Sequence, residues 1–469
     1  MIATRRDLLK AAAAGSIAAA VGGCTPITAK IAERDPALPL PTGPVDPTAR
    51  LLARTSFGHR PGDIARVQAM GHAAYVDSEL AAKKGEDPRF KELLNRLEIF
   101  EIGSSDLEDF HKEEVIEQLH QAALIHAIYG SNQLRERMVD LWSDHFNVYS
   151  LKGDTAFRQS TEDVAVIRKN ALGTFPDLLR ASAHSPAMLG YLDSQLNRKG
   201  VANENYAREL MELHTLGVHG GYTQTDVQEV ARCLTGWTIE NRFLHRKGTF
   251  RFDEDRHDNG EKLVLGQRIP AGGGQEDGER VIEILAAHPA TAKFVASKIV
   301  RYFLGSPDEA WIDRTAETFL ATGGDIKAML RPILLSKDIE TSPPMIKRPL
   351  DYVASSVRAV NADTDAGTAL RAHLTQMGQV AHGWPMPDGY PMRTSAWTGS
   401  MLPRWNFAIA LATGQIQGTN AGELGTTPFE ATHGRHPHES DKALIAACTG
   451  KDLKTALALC LASPSFQWR

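Results

Sequence analysis

Apolar residues recur at spacings of three and four along most of the chain, the period of helices with one buried face. "EEVIEQLHQAALIHAIYG" keeps this spacing until Gly130, where a helix should stop. "SNQLRERMVDLWSDHFNVY" follows, with Ser131 at the N-cap position. "DVAVIRKNALGTFPDLLRASAHSPAMLGYLD" reads as two or three short helices. "GERVIEILAAHPATAKFVASKIVRYFLG" and "DEAWIDRTAETFLATGGDIKAMLRPILLS" continue the pattern, and "DKALIAACTGKDLKTALALCLAS" reads as the last helix.

The period changes near residues 248–274. "GTFRFDEDRHDNGEKLVLGQRIPAGGGQEDG" alternates apolar with polar and is punctuated by Gly and Asp, which predicts a small β-hairpin or irregular excursion. The expected fold is therefore mainly α. It is one large multi-helix domain, or two packed helical halves divided at the excursion, beginning near residue 48 with "ARLLARTSFG". "HGWPMPDGYPMRTSAWTGSMLPRW" is dense in Pro, Gly and Trp and is expected to be a long loop, a kind often functional within a compact domain.

The first 47 residues follow other rules. "TRRDLLKAAAAGSIAAAVGGC" opens with Arg5 and Arg6, and its apolar run is too short and too Ala-rich for a membrane span. Thr4-Arg5-Arg6-Asp7-Leu8-Leu9-Lys10 has the form of a twin-arginine export signal, which predicts a periplasmic or cell-envelope protein that crosses the membrane folded. Residues 1–23 form the expected signal peptide. Val21-Gly22-Gly23-Cys24 has the small residues before cysteine that precede lipidation, so a lipid on Cys24 is one expectation and cleavage within Ala18–Ala20 the other. Residues 24–47 are rich in proline and are expected to be a tether, extended and unpacked.

The formal net charge is −5. Residues 1–23 hold three cations and one anion, so the remainder carries −7. Acidity and export together exclude nucleic acid as a partner. After Cys24, the cysteines are Cys233, Cys448 and Cys460, enough for one disulfide at most and no CxxC pair.

Candidate chemistry centres on "NENYARELMELHTLGVHGGYTQTDVQEVARCLTGW", residues 203–237. On a regular helix, Tyr206, Ala207, Leu210, Leu213 and His214 share one side. Glu204, Asn205, Arg208, Glu209 and Glu212 share the other. Glu204, Arg208 and Glu212 then form an i, i+4, i+8 salt ladder. If that face is instead turned inward, Glu209 and Glu212 hold a cation or act as acid and base. Gly220 and Gly221 should end the helix, and Thr223 with Asp226 should cap the next. Beyond this stretch, His145 suits a ligand or general base, and His257-Asp258 stands in the excursion. His184, the pair Asp193 and Asn197, and the trio His433, His436 and His438 are weaker candidates. No HExxH, GxSxG or GxxxxGK motif is present, and "AGGGQEDG" opens from no recognisable strand.

These segments also resemble a known family. The 203–237 stretch is similar to the core signature of the domain-of-unknown-function 1800 family. "LLARTSFG", "RMVDLWSDHFNVY", "IRKNALGTFPDLL", "HSPAMLGYLDSQLN", "HDNGEKLVLG", "HPATAKFVASKI", "KRPLDYV", "WPMPDGYP" and "RWNFA" match in order. The resemblance spans nearly all of the chain after the tether. It implies an exported bacterial protein without an assigned activity. It also implies a partner, a sulfatase-like exported protein of the domain-of-unknown-function 1501 family. Where the family's aromatic motif usually carries a further histidine, this chain reads Trp142-Ser143-Asp144-His145, so that ligand is missing.

Two expectations result. One is a metal-assisted enzyme acting on an envelope or extracellular substrate, with Glu209, Glu212, His145, His257 and Asp258 catalytic. Glu209, Glu212, His145 and His257 would hold a divalent ion. The other is a non-catalytic envelope protein that binds or matures the sulfatase-like partner through the 383–405 loop.

Overall fold

The computed structural model describes residues 40–41, 46–82, 85 and 87–469. The signal, Cys24 and most of the tether lie outside these residues. Among the described residues the chain is mainly helical with a few small two-stranded sheets, as the apolar spacing predicts.

The helices that frame the site are α1 (Pro47–Thr55), α2 (Lys112–Tyr129), α3 (Gln133–His145), α4 (Glu204–Glu209), α5 (Gln224–Cys233), α6 (Gln275–Ala287), α7 (Pro289–Leu304), α8 (Pro349–Ala359) and α9 (Met401–Thr413). Local chemistry sets their ends. The Asp46 carboxylate accepts from Ala49 N and Pro47 occupies the first turn of α1, where a missing N–H costs nothing. The capping residue of α3 is Asn132 rather than the expected Ser131. The Asn132 side chain accepts from Arg135 N, one residue further into the helix. The expected last helix is two, Lys442–Cys448 and Leu453–Ala462, because Gly450 turns left-handed at φ +71° and Asp452 caps a fresh start by accepting from Thr455 N.

The excursion holds two antiparallel ribbons. β1 (Trp237–Ile239) pairs with β2 (Phe250–Phe252), and β3 (Lys262–Val264) with β4 (Gln267–Ile269). The expected hairpin at 248–274 is the second of these. β5 (Asp363–Thr364) and β6 (Thr419–Asn420) form a third small pair. Cys448 and Cys460 are free thiols with sulfurs 3.8 Å apart, and Cys233 is buried alone.

Among the described residues, two large apolar clusters make most of the core, beside two small ones. The first joins Leu134, Met138 and Trp142 of α3 to Val230 of α5, Leu285 of α6 and Val300 of α7. The second joins Ile125 of α2 to Tyr352 and Val357 of α8, Phe407 of α9 and Leu461. Each buried Leu or Phe contributes about 1.5–3 kcal/mol by leaving water. Where the clusters meet, the contact is ionic. Arg137, from the first, bonds Asp351, from the second, and Arg348, from the second, bonds Asp140 and Asp144 of the first. Tyr302 of α7 donates to Asp140 Oδ2 at 2.6 Å. Arg137, Asp140 and Asp144 stand three and four residues apart, so one face of α3 supplies all three.

Candidate functional site

The outer end of this ionic seam is covered by the Pro-Gly loop. Asn147 Nδ2 donates to Trp384 O at 2.9 Å and Met386 O at 2.7 Å, and Tyr191 Oη donates to Pro385 O at 2.8 Å. Tyr390 N donates to Asp144 Oδ1 at 3.3 Å, and Trp384 Nε1 to Asp388 Oδ1 at 2.8 Å. Gly389 has φ +73°, and a Cβ there would fall on the main-chain oxygen of Asp144. Only glycine lets the loop sit this close. The expected loop is thus irregular through residue 393, then carries two short 3-10 turns at Thr394–Ala396 and Thr398–Ser400, and its last residues begin α9.

Below the loop runs the 203–237 stretch. α4 does not continue as a regular helix: residues Leu210–Thr215 form a π-turn, in which Leu216 N donates to Met211 O at 2.8 Å. Wide turns of this kind often mark functional sites. The chain leaves it at Gly217, φ +78°, earlier than the expected Gly220 and Gly221. His214 is buried while Glu209 and Glu212 remain half-buried, so the two faces separate as the sequence pattern predicts. The salt ladder is present, with Arg208 at 3.2 Å from Glu204 and 3.6 Å from Glu212. Thr223 and Asp226 form the predicted capping box.

His145 is buried among Trp142, Phe146, Phe175 and Phe294. Its Nε2 lies 3.1 Å from His214 O; a carbonyl only accepts, so Nε2 carries the proton and Nδ1 a lone pair. That Nδ1 has no partner, nor does Nε2 of His214, whose ring centre is 6.1 Å away. Burial pushes the His214 imidazole down to about 3, with Lys298 adding to the effect, and pushes His145 down as well. Both rings are neutral at neutral pH.

The charge of Lys298 of α7 acts on both rings, and those of Asp144 and Asp388 act on Lys298. Lys298 is half-buried, 4.9 Å over the Phe294 ring, and has no hydrogen-bond acceptor among the described residues. Burial lowers its amine to about 8, against the opposing pull of Asp144 and Asp388. Asp144 is pushed up by burial, against Arg348 and with Asp140. Glu209 is pushed up by burial, then by Glu212, with Arg208 opposing and Asp388 reinforcing. Tyr222, beside Glu212, is pushed up to about 12 by burial and that carboxylate. Electrostatics thus links Asp144, Glu209, Glu212, Lys298, Asp388 and the two histidines in one network.

His257 and Asp258 do not join it. His257 is fully buried, with Nδ1 2.8 Å from Thr235 O and Nε2 3.1 Å from Asp277 Oδ2. Lys262 closes the group by bonding Asp277 and the main-chain oxygen of Asp258. The Asp258 carboxylate takes Arg232 at 2.9 and 3.2 Å. These contacts fasten the excursion to α5 and α6. The expected four-residue metal set therefore falls in two places. Among the described residues no group of three or more His, Cys, Asp or Glu is placed to hold a metal ion.

The weaker candidates disperse too. His184 bonds Glu279 at 2.7 Å and packs on Trp237. Asp193 takes a left-handed turn beside Lys152, and Asn197 bonds Ala231 O. His433 stacks on Phe429, His436 pairs with Glu430, and His438 caps a short turn. Lys298 and Asp388 were not singled out by spacing, yet both lie in quoted family segments, "HPATAKFVASKI" and "WPMPDGYP".

Fold and site define a mainly helical protein with a buried ionic seam and a loop-covered acid–amine cluster, outside the common catalytic motifs. The chain belongs to the family described as Protein of unknown function (DUF1800), whose model matches residues 50–468. No curated protein and no solved structure matches it.

Proposed function

We propose that this protein is an exported enzyme that transfers protons on an envelope or extracellular substrate at the edge of the loop, with Lys298, Asp388 and Glu209 as its working groups. Lys298 carries the reading: an amine without a hydrogen-bond acceptor among the described residues, under the charges of Asp144 and Asp388. A lowered amine and a raised carboxyl both move toward the working pH, where acid–base catalysis is most effective. In the proposed step, neutral Lys298 takes a proton from the substrate, and Asp144 and Asp388 then stabilise its ammonium. Protonated Glu209 supplies a proton on the other side. A metal-assisted version would place a divalent ion on Glu209 and Glu212. The twin-arginine segment supports export. Among the described residues no helix is long and apolar enough to cross a membrane, so attachment would rest on Cys24.

Mature protein incubated with fractionated envelope material, its products followed by mass spectrometry, tests the reading beside Lys298→Met and Glu209→Gln. Each variant is expected to lose about 10²-fold or more in rate while keeping its circular dichroism. Turnover that survives both substitutions sinks the proposal. Near-stoichiometric metal that disappears in a folded Glu209→Ala, Glu212→Ala variant would move the chemistry to the ion.

A second reading has its own observation. Leu402, Trp405 and Ile409 form an exposed apolar stripe at i, i+3, i+7 on α9, with Met386 of the loop also exposed. This supports docking of the sulfatase-like exported partner on the loop face. Copurification that is lost in Leu402→Asp, Trp405→Asp, without change in envelope turnover, would favour it.

A further inference from the structure

We propose that the chamber between α1, α8 and the 433–469 segment binds a small oxyanion, a phosphate or sulfate group. It is a cavity of about 140 Å³, room for roughly four waters at ~30 Å³ each. Arg50, His59, Lys347, His433, Ser465 and Arg469 are on its wall, and half-buried Asp46 and Arg435 stand at its rim. Arg54 and Arg404, both fully buried, back the wall.

Buried ions require partners, and an unpaired one is strongly destabilising. Arg50 Nη1 donates to Arg469 O at 3.2 Å. Arg54 donates to Ser342 Oγ and Pro343 O, and its Nε and Nη1 are left without acceptors. Arg404 donates to Ser400 Oγ, Gln467 Oε1 and Lys347 O, all neutral. Lys347 Nζ has no acceptor among the described residues and lies 3.4 Å over the Phe466 ring. Arg469 alone of the five approaches a carboxylate, 3.6 Å from Asp351, and its Nε and Nη1 make no hydrogen bond.

The available anions are already engaged. Asp351 bonds Arg137 and accepts from Arg348 N. Asp46, the other carboxylate on the described wall, caps α1. Arg435 has its own partner in Asp441. The main-chain oxygen of Arg469 serves Arg50 and Met345 N, and a free carboxylate there would offset one charge. Among the described residues Arg50, Arg54, Lys347 and Arg404 thus make no ion pair with a carboxylate, and Arg469 shares Asp351 with Arg137. Ser465 and the histidines offer neutral donors beside them, the donor set that recognises a tetrahedral oxyanion. Burial pushes the Lys347 amine down to about 7, with Asp351 opposing and Arg404 and Arg469 adding to it.

Thermal unfolding at low ionic strength with inorganic phosphate or sulfate, against sodium chloride at equal ionic strength, tests this. Equilibrium dialysis supplies the stoichiometry. Phosphate or sulfate is expected to bind one per chain and to raise Tm more than chloride does. Lys347→Met removes an unpaired buried charge at similar volume. It should raise the Tm of the free protein and weaken anion binding at least tenfold. Arg50→Gln should weaken binding likewise, which covers the case in which Lys347→Met does not fold. A phosphomonoester that binds more tightly than inorganic phosphate identifies an esterified ligand; the reverse identifies the free ion. An effect no larger than chloride's, or one equal in wild type and both variants, overturns the proposal.

Discussion

The ladder on α4 and the seam between the cores are built from the same two groups, guanidinium and carboxylate, and differ in water. In the ladder, Arg208 and Glu204 keep 38% and 34% of their side-chain surface exposed. In the seam, Arg137 and Asp351 keep 0% and 4%. Exposed i, i+4 pairs contribute a few tenths of a kcal/mol, because water solvates either partner nearly as well. Breaking a buried pair strands a charge and costs ~3–5 kcal/mol. Identical contacts on paper therefore hold very different weights, and burial decides which of them joins the two halves of the core.

The largest expected effect follows directly. Asp351→Ala leaves Arg137 only Asp140, 4.0 Å away, and removes the carboxylate that Arg469 approaches. Urea unfolding should show a loss of ~3–5 kcal/mol. A loss below ~1 kcal/mol would mean that the seam carries no more than the ladder, and the comparison would fail.

Next comes the loop that closes the seam. Gly389→Ala forces a side chain into a left-handed position and onto the main chain of Asp144. A cost of ~1–3 kcal/mol is expected. Faster proteolysis within 383–400 should accompany it, with the α4 region unchanged. Uniform destabilisation without local cleavage would deny the loop its anchoring role.

Glu162 sharpens the contrast from another side, since it is a buried carboxyl without a cation. It bonds Ser185, and burial pushes it up to about 8, with Ser185 opposing and Asp163 adding to the rise. Its folded-state value exceeds the ordinary 4.5. The stability it contributes is thus fully present below pH 4.5 and is lost as pH rises through about 8. Glu162→Gln should flatten that decline and gain ~1–2 kcal/mol at pH 9 relative to wild type. His214 runs the other way. Its contribution is present above pH 6.5 and is lost as pH falls through about 3. A wild-type stability curve flat from pH 7 to 9 would contradict the first of these.

The same contrast explains what was legible in the sequence. The helices, the Thr223–Asp226 box and the ladder are local, and spacings of three and four reveal them. The seam pairs residues 214 positions apart, and no periodicity points from Arg137 to Asp351. The π-turn at 210–215 was also hidden, since Leu, Met, Glu and His read as ordinary helix formers. In the candidate site, the separation of the two helix faces was legible: His145 meets the π-turn at buried His214, while Glu209 and Glu212 stay half-buried on the other face. His257 reads like a loop ligand, but its two nitrogens are taken by Thr235 and Asp277. Lys298 sits in an amphipathic helix, where a lysine at a buried position looks the same as one at the surface until the acids opposite it are known.

The smallest effect is the most discriminating for the ladder itself. Arg208→Ala deletes both exposed pairs on α4, and stability should change by no more than ~0.5 kcal/mol. Arg208 also holds Glu209 down against burial and Glu212. Its loss should therefore raise the pH at which Glu209 titrates, followed through the side-chain carboxyl carbon by NMR, while leaving the fold intact. A shift without destabilisation separates the two roles of this face: the ladder adds little to the fold, and Arg208 sets the proton affinity of the acid beside it. Destabilisation without a shift would return the whole face to a structural role and leave Lys298 and Asp388 to carry the chemistry alone.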